Sequence, residues 1–406
     1  MNIALIVRRL NVRGGTQRMV AELAGELRRG GHAVTIYTFF YDKEVCYPEL
    51  FKNFPVVTPD SGHAEQFRRH SIKRGLFSFF RTAFNENRLA RNLAHKISPD
   101  TDILNPHDQV VYKVAYYFKK EIKSVPSVWM MNDTATKKHS DIRTQEMDPT
   151  FHISYIKKKI HALVDWYEAR RFVSSQDAIA VLDTRDREWA YKEYGIPTVV
   201  VRNGLDVQEF PFVAHEGITG KHITLLTMGI LMPHRRFEDS IEAVALLCKK
   251  GFDASLSIAG GGLDGPYHAK LQALIEQLDL GDRVHFLGQC TREQVLQKYH
   301  DADIFLFVSH LQSWGLAVFE AMSAGLPVIV SETAGASEVL EQGKTAMLVP
   351  PYSSEKIADA VGQLADPAVY QRIAKNGRAF VEAHISWERY AKELLEMFLE
   401  ARKLYL

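Results

Sequence analysis

The sequence predicts an α/β protein made of two consecutive, mostly parallel sheets with helices on both faces. Short apolar runs alternate with amphipathic segments along most of the chain, as repeated strand–helix–strand units require. Near residues 201–221 the alternation stops, and it then restarts from a new strand. A chain of 406 residues, 46% of them hydrophobic, carries enough apolar mass for two separate cores.

Ile3–Val7 reads as a buried first strand. Arg8-Arg9 follows this apolar run rather than preceding it, so it is not patterned as a signal peptide. Thr16–Arg29 is a helix with Met19, Val20, Leu23, Ala24 and Leu27 on one stripe. Gly30-Gly31-His32 ends it, and Ala33–Phe39 is the second strand. Further strands are expected at Asp102–Leu104, Ser127–Met131, Ala178–Leu182 and Thr198–Val201. These bound a first domain at 1–201. Asn203-Gly204 is a turn signal inside an aperiodic stretch, 202–221, expected as a linker. The second domain, 222–385, begins with strand Ile223–Met228 and helix Glu238–Lys249. It continues with strand Ala254–Ile258, helix Tyr267–Gln277 and strand Val284–Leu287. A unit over 304–330 and a strand near Ala346–Val349 complete it, and 386–406 is a last helix.

Bulk properties narrow the function. With 50 Lys+Arg against 49 Asp+Glu, the chain is not patterned as a general polyanion binder, and no nucleic-acid motif is present. Cys46, Cys248 and Cys290 are widely spaced and fit neither a metal nor a disulfide pattern, which points to a reducing, cytoplasmic compartment. No apolar run approaches the roughly 20 residues that span a bilayer.

The most informative stretch is Gln312-Ser313-Trp314-Gly315-Leu316-Ala317-Val318-Phe319-Glu320, between strand Ile304–Val308 and Gly325-Leu326-Pro327. A small-residue loop that opens a helix points backbone N–H groups and partial positive charge at an anion, so a phosphate-bearing ligand is the natural occupant. Glu320 lies about a turn and a half into that helix, where a carboxylate can accept bonds from sugar hydroxyls.

This stretch resembles the donor-binding segment of the retaining glycosyltransferases of family 4, whose pattern is Glu, seven residues, Glu, with Gly-Phe-Gly-Leu between. Here Gln312 replaces the first Glu, and Ser313-Trp314 replaces Gly-Phe. The resemblance implies the GT-B fold: two Rossmann-like domains facing across a cleft, with the C-terminal helix crossing back to the first. It also implies sugar transfer from a nucleotide-sugar donor with retention at the anomeric carbon, without a metal and without a settled protein nucleophile. Glu320 would hold ribose, Gly315 and Leu316 amides the phosphate or sugar, and Gln312 sugar hydroxyls, with Trp314 and Gly229 also at the donor site. After Met228-Gly229, counting back from Ile241-Glu242-Ala243 puts Arg235 at the family's Lys and Arg236 at its Gly, while Ile230 stands where the family has Arg. Arg235, with Arg236 beside it, would then neutralise the departing diphosphate. A cation at a helix start opposes the dipole, so a compensating anion is expected near Arg236.

Arg13-Gly14-Gly15-Thr16-Gln17-Arg18 resembles the family's Gly-Gly-x-x-Arg loop, with Gly15 toward the donor and Gly14 toward the acceptor. His107 follows a strand expected to end at Leu104, and Asn132-Asp133 follows one ending at Met131. Loops at strand C-terminal ends bind ligands in open α/β sheets, so His107, Asn132 and Asp133 are acceptor-side candidates. Two literal motifs are set aside. Gly260-Gly261-Gly262-Leu263-Asp264-Gly265 is a G-x-G-x-x-G on the wrong strand for a dinucleotide fold, and Asp301-Ala302-Asp303 suits capping better than metal binding.

Residues 68–96 hold eight Lys/Arg and one acid, Glu86, interleaved with Ile72, Leu76, Phe77, Phe79, Phe80 and Phe84, and Lys157-Lys158-Lys159 adds charge. That composition suits an anionic membrane surface at the inner face of the membrane; an ordinary helix pair with core Phe residues is the competing reading. The expected acceptor is a glycan or lipid-linked precursor of surface polysaccharide. Two other functions remain open at this point: a nucleotide-sugar epimerase or hydrolase on the same architecture, and a non-catalytic glycan-binding protein, the latter motivated by Gln312 and Ile230.

Overall fold

The computed structural model describes residues 1–59, 76–132, 153–215, 217–218, 220 and 222–405, with the backbone alone over 76–83. The chain divides into two compact units: Met1–Arg202 with Trp387–Leu406, and Asn203–Ser386.

The first unit contains, in order, β1 (Asn2–Val7), α1 (Gly15–Arg29), β2 (Ala33–Thr38), β3 (Val56–Val57), α2 (Leu76–Ala94), β4 (Ile103–His107) and α3 (Tyr112–Glu121). It continues with β5 (Val128–Met131), α4 (Tyr155–Arg171), β6 (Ala178–Val181), α5 (Thr184–Tyr194) and β7 (Thr198–Val200). Among the described residues these strands form one sheet in the order β3-β2-β1-β4-β5-β6-β7, all pairs parallel. Ile3 to Val7 are all buried, as a central parallel strand covered on both faces must be. α1 buries Met19, Val20, Leu23, Ala24 and Leu27.

The second unit repeats the scheme with β8 (His222–Met228), α6 (Phe237–Lys249), β9 (Asp253–Ala259), α7 (Pro266–Gln277), β10 (Val284–Gly288) and α8 (Arg292–Asp301). Then come β11 (Ile304–Phe307), α9 (Leu316–Ala324), β12 (Val328–Ser331), β13 (Met347–Val349), α10 (Ser354–Leu364) and α11 (Pro367–His384). Its sheet runs β10-β9-β8-β11-β12-β13, again all parallel. The stretch expected as a linker packs on this unit from Asn203 onward. The Val213 amide donates to the Ala324 carbonyl at 3.0 Å, Arg378 Nη1 donates to the Phe210 carbonyl at 2.8 Å, and Ile218 joins the core.

The last helix, α12 (Trp387–Lys403), belongs to the first unit. It lies against α1 and buries Trp387, Tyr390, Leu394 and Phe398. Arg389 Nη2 donates to the Arg202 carbonyl at 2.6 Å, and the Tyr405 hydroxyl donates to Asp177 at 3.1 Å.

Both sheets reverse strand order once, between β1 and β4 and between β8 and β11. Open α/β sheets bind ligands at the carboxyl ends of strands at such reversals. The loops after β1 and β4, and after β8 and β11, are therefore the places to look for chemistry.

Residues Arg68, Arg69, Lys73 and Arg74 lie outside the described residues. Within α2, Leu89, Ala90, Leu93 and Ala94 are core while Phe84 is exposed. Among the described residues no helix is long and apolar enough to cross a membrane.

Candidate active site

The second unit's reversal brings a cation and a helix N-terminus to one buried ring, with a carboxylate further along the same helix. Phe307 ends β11, is buried, and faces two loops. The Arg235 guanidinium carbon, on a short helical turn after β8, lies 5.9 Å from the Phe307 ring centre. Gly315, the N-cap of α9, approaches the same ring so closely that a Cβ would stand 2.5 Å from Phe307 Cζ. Its φ of 115° lies in the left-handed region, so glycine is required on both counts. No side chain caps α9, leaving its first amides, around Leu316, to an outside acceptor. Gly229 clears room for Arg235: a Cβ there would meet Arg235 Nε at 3.2 Å.

Glu320 projects from the second turn of α9 and is half-buried. The Tyr299 hydroxyl, from α8, donates to its Oε2 at 3.0 Å and orients it. Tyr299 is fully enclosed; burial first, then the Glu320 charge, pushes its hydroxyl well above the usual tyrosine range, so it stays a donor. Gln312 is half-buried, and its backbone carbonyl accepts from the Gly335 amide at 2.7 Å, which fixes the loop. His310 completes that loop: its amide donates to the His234 carbonyl at 2.7 Å, and its ring lies 4.8 Å from Tyr352.

Two expected donor contacts are placed differently. Trp314 is 2% exposed and stacks on Phe319 at 4.7 Å, so its ring serves the core because the loop turns it under α9. Arg236 is engaged locally: its guanidinium pairs with Glu238 at 2.8 Å and with Asp239, and lies 4.5 Å from the Tyr352 ring centre. These carboxylates are the anions that a cation at a helix start calls for. Arg236 has φ +54°, the left-handed region, which agrees with its alignment onto a family glycine. Ile230 is 61% exposed.

The two literal motifs have structural roles. In the glycine run, a Cβ on Gly260 would fall 1.9 Å from the Gly229 carbonyl oxygen, so the glycine lets β9's loop pack on β8's. Asp303 Oδ2 accepts from the Thr224 amide at 2.7 Å, and Asp301 accepts from Gln297 at 2.7 Å. Among the described residues no group of His, Cys, Asp and Glu is arranged to hold a metal ion.

In the first unit, Gly14 caps α1 and Gly15 opens it. Thr16 Oγ1 donates to Asp108 Oδ1 at 3.3 Å, and Asn132 Nδ2 donates to the same oxygen at 2.9 Å. The carbonyl of Asp108 accepts from Trp129 Nε1 at 2.8 Å. The structure thus joins Gly14, Gly15 and Asn132 through Thr16 and Asp108, neither of which stood out as a site residue in the sequence. Asp133 lies outside the described residues.

His107 corrects an expectation. β4 runs on to His107, which is in register with Val7 on one side and Met130 on the other, so it sits inside the sheet and is fully buried. Its Nε2 is 2.6 Å from Asn105 Oδ1, and Asn105 Nδ2 donates to the Val128 carbonyl, so Nε2 is assigned the proton. It is a sheet residue that backs Asp108 rather than a loop contact. Burial lowers its pKa to about 3. The unfolded chain's imidazole takes up a proton near 6.5, so below that pH the unfolded state binds more protons. Stability is therefore complete above pH 6.5 and lost as pH falls toward 3, by about 2 kcal/mol at pH 5 from this group alone. Urea unfolding at pH 7 and pH 5 should show that loss, and His107→Gln should shrink the difference by about the same amount.

Comparison with known proteins places the chain in a family. The model of the family described as Glycosyltransferase Family 4 matches residues 13–209, and that of Glycosyl transferases group 1 matches residues 211–380. Between them they account for nearly the whole chain. The chain belongs to the family 4-type glycosyltransferases. The transferase is 26% identical over 313 residues to a glycogen synthase of Mycobacterium tuberculosis, covering 74% of this chain and 69% of that one. Its fold is GT-B. It matches a sucrose-phosphate synthase of Thermosynechococcus elongatus with a TM-score of 0.74 at 19% identity, covering 100% of this chain and 99% of that one. It also matches HepE of Anabaena, solved with UDP-glucose, with a TM-score of 0.68 at 18% identity, covering 98% and 99%.

Proposed function

We propose that the transferase moves a sugar from a UDP- or GDP-linked donor to a glycan or lipid-linked acceptor of surface polysaccharide or glycolipid biosynthesis, with retention at the anomeric carbon. The observation that carries this reading is the group around Phe307. One cation, Arg235, and one uncapped helix N-terminus share a buried ring, and Glu320 stands further along the same helix. A cation and free amides suit a diphosphate. A carboxylate oriented by a buried tyrosine suits ribose hydroxyls. The UDP-glucose seen with HepE supports a nucleotide-sugar donor of the UDP type.

In the proposed step, the bond between the anomeric carbon and the donor phosphate oxygen breaks. The acceptor oxygen bonds to that carbon on the same face, and its proton passes to the departing phosphate oxygen. Negative charge grows on the diphosphate, where Arg235 and the amides of Gly315 and Leu316 meet it. The scheme needs no metal and no protein nucleophile; the protein positions the reactants and stabilises charge. Gln312 reaches sugar hydroxyls. The acceptor is assigned to the first unit, at Gly14, Gly15, Thr16, Asp108, Asn132 and Asp133. A lipid-linked acceptor puts the enzyme at the cytoplasmic face of a membrane, with basic residues within 68–96 near anionic lipid.

Nucleotide titration tests the donor assignment. Glu320→Ala should weaken UDP or GDP binding by about 1–3 kcal/mol, roughly 5- to 150-fold in Kd. Tyr299→Phe leaves the carboxylate in place but releases its orientation, and should cost about 1 kcal/mol. Calorimetry on folded variants decides; unchanged affinity in Glu320→Ala removes Glu320 from the donor site.

A further inference from the structure

We propose that α4 (Tyr155–Arg171) is a docking helix for an anionic phospholipid bilayer, lying in the headgroup plane with its aromatic face toward the acyl boundary. The inference rests on the membrane part of the proposed function and moves its contact to an element that the sequence did not single out beyond its lysines.

α4 has no buried residue, which sets it apart from the helices that cover the sheets. Tyr155 is 70% exposed, Ile156 72%, Leu163 63% and Trp166 53%. At 3.6 residues per turn, Tyr155, Ile156, Lys159, Leu163, Trp166, Tyr167 and Arg170 fall within roughly 120° of one face. From His161 onward the opposite side, with His161, Val164 and Glu168, is half-buried. Glu168 ties the C-terminal end to the body by accepting from the Tyr112 hydroxyl and from Lys113 Nζ, each at 2.6 Å. The outer face is thus presented by a helix fixed at one end.

The chemistry of that face identifies its occupant. Lys159 Nζ lies 4.7 Å from the Tyr155 ring centre, and the Arg170 guanidinium carbon lies 5.2 Å from that of Trp166. Rings with cations over them suit the boundary between headgroups and acyl chains, where aromatic bodies are buried and charges stay wet. Of the five Lys/Arg on α4, Lys159 and Arg170 lie on this face with no acid beside them, Lys157, Lys158 and Arg171 lie outside it, and Glu168 is turned inward onto Lys113. A second copy of the same face would bring like charge onto like charge. An anionic surface is complementary to it.

Co-sedimentation of the full chain with vesicles of phosphatidylcholine, alone or mixed with phosphatidylglycerol, tests this. Wild type should pellet only with the anionic vesicles, and less as salt is raised. A triple variant Ile156→Ser, Leu163→Ser, Trp166→Ser and a second, Lys157→Glu, Lys158→Glu, Lys159→Glu, should each lose roughly tenfold or more in partitioning. Both alter exposed side chains, and far-UV circular dichroism with a urea transition like that of wild type shows that they fold. Anionic vesicles should also shift tryptophan emission to the blue in wild type but much less in the first variant. Pelleting of both α4 variants like wild type, with release by reversal of Arg68, Arg69, Lys73 and Arg74 to Glu, overturns the α4 assignment and leaves the membrane reading standing. Wild type that stays in solution at low salt overturns both. Equal pelleting on neutral vesicles, or a dimer that only the triple Ser variant dissociates, overturns the choice of anionic lipid as occupant.

Discussion

Arg235→Ala should lower kcat by about a hundred- to a thousand-fold, with a much smaller change in donor affinity. The guanidinium is held against Phe307 and the bare backbone of Gly229, so it is positioned before any substrate arrives. A preorganised charge gains most where charge develops during the reaction, here on the leaving diphosphate. Steady-state rates with a nucleotide-sugar panel, alongside UDP calorimetry, separate the two quantities. A variant that loses binding and rate equally would make Arg235 a ground-state contact. Arg236→Ala provides the contrast. It would remove the cation paired with buried Asp239, and leave buried Glu238 to Lys270 at 3.4 Å and the Tyr267 hydroxyl. Its cost should appear as about 3–5 kcal/mol of stability rather than as a selective loss of kcat.

Gly315→Ala should strongly destabilise the second unit. The added Cβ would meet Phe307 Cζ at 2.5 Å and Cε1 at 2.6 Å, at a φ of 115° that L side chains rarely adopt. Phe307 is buried under Arg235, so its ring cannot move aside without displacing the cation. Strained backbone and overpacking together predict a loss of about 2–5 kcal/mol. Urea unfolding followed by far-UV circular dichroism measures this loss. Adding Phe307→Leu should recover part of the loss by relieving the clash, while the backbone strain remains. Full stability in Gly315→Ala would mean that the loop is held more loosely than its contacts with Phe307 require.

Strand and helix positions were largely legible because both periodicities are strong. Ala33–Phe39 became Ala33–Thr38 and Glu238–Lys249 became Phe237–Lys249, shifts of one residue at an end. β4 is the exception: a strand expected to stop at Leu104 continues through Pro106 to His107. Proline disfavours a strand interior locally, but pairing with β1 on one side and β5 on the other overrides that preference. The consequence reaches the site, since His107 moves from a loop into the core.

The chain order of residues determined by itself that two parallel-sheet units follow one another, and that a small-residue loop opens a helix carrying Glu320. Those features depend on periodicity and local backbone chemistry, which neighbouring residues specify. Tertiary structure alone decided which side chains serve the site. Tyr299 is 21 residues from Glu320, and Asp108 is 92 from Thr16 and 24 from Asn132. Arg235 and Gly315 meet the same Phe307 ring only because β8 and β11 are neighbours at the reversal of strand order. Trp314 and Arg236 show the converse. Each looks available to a ligand in the sequence, and each is taken up by partners that folding brings to it: Phe319 for the ring, and Glu238 and Asp239 for the charge. A side chain's exposure and its partners depend on contacts across the fold, and local pattern carries no record of them.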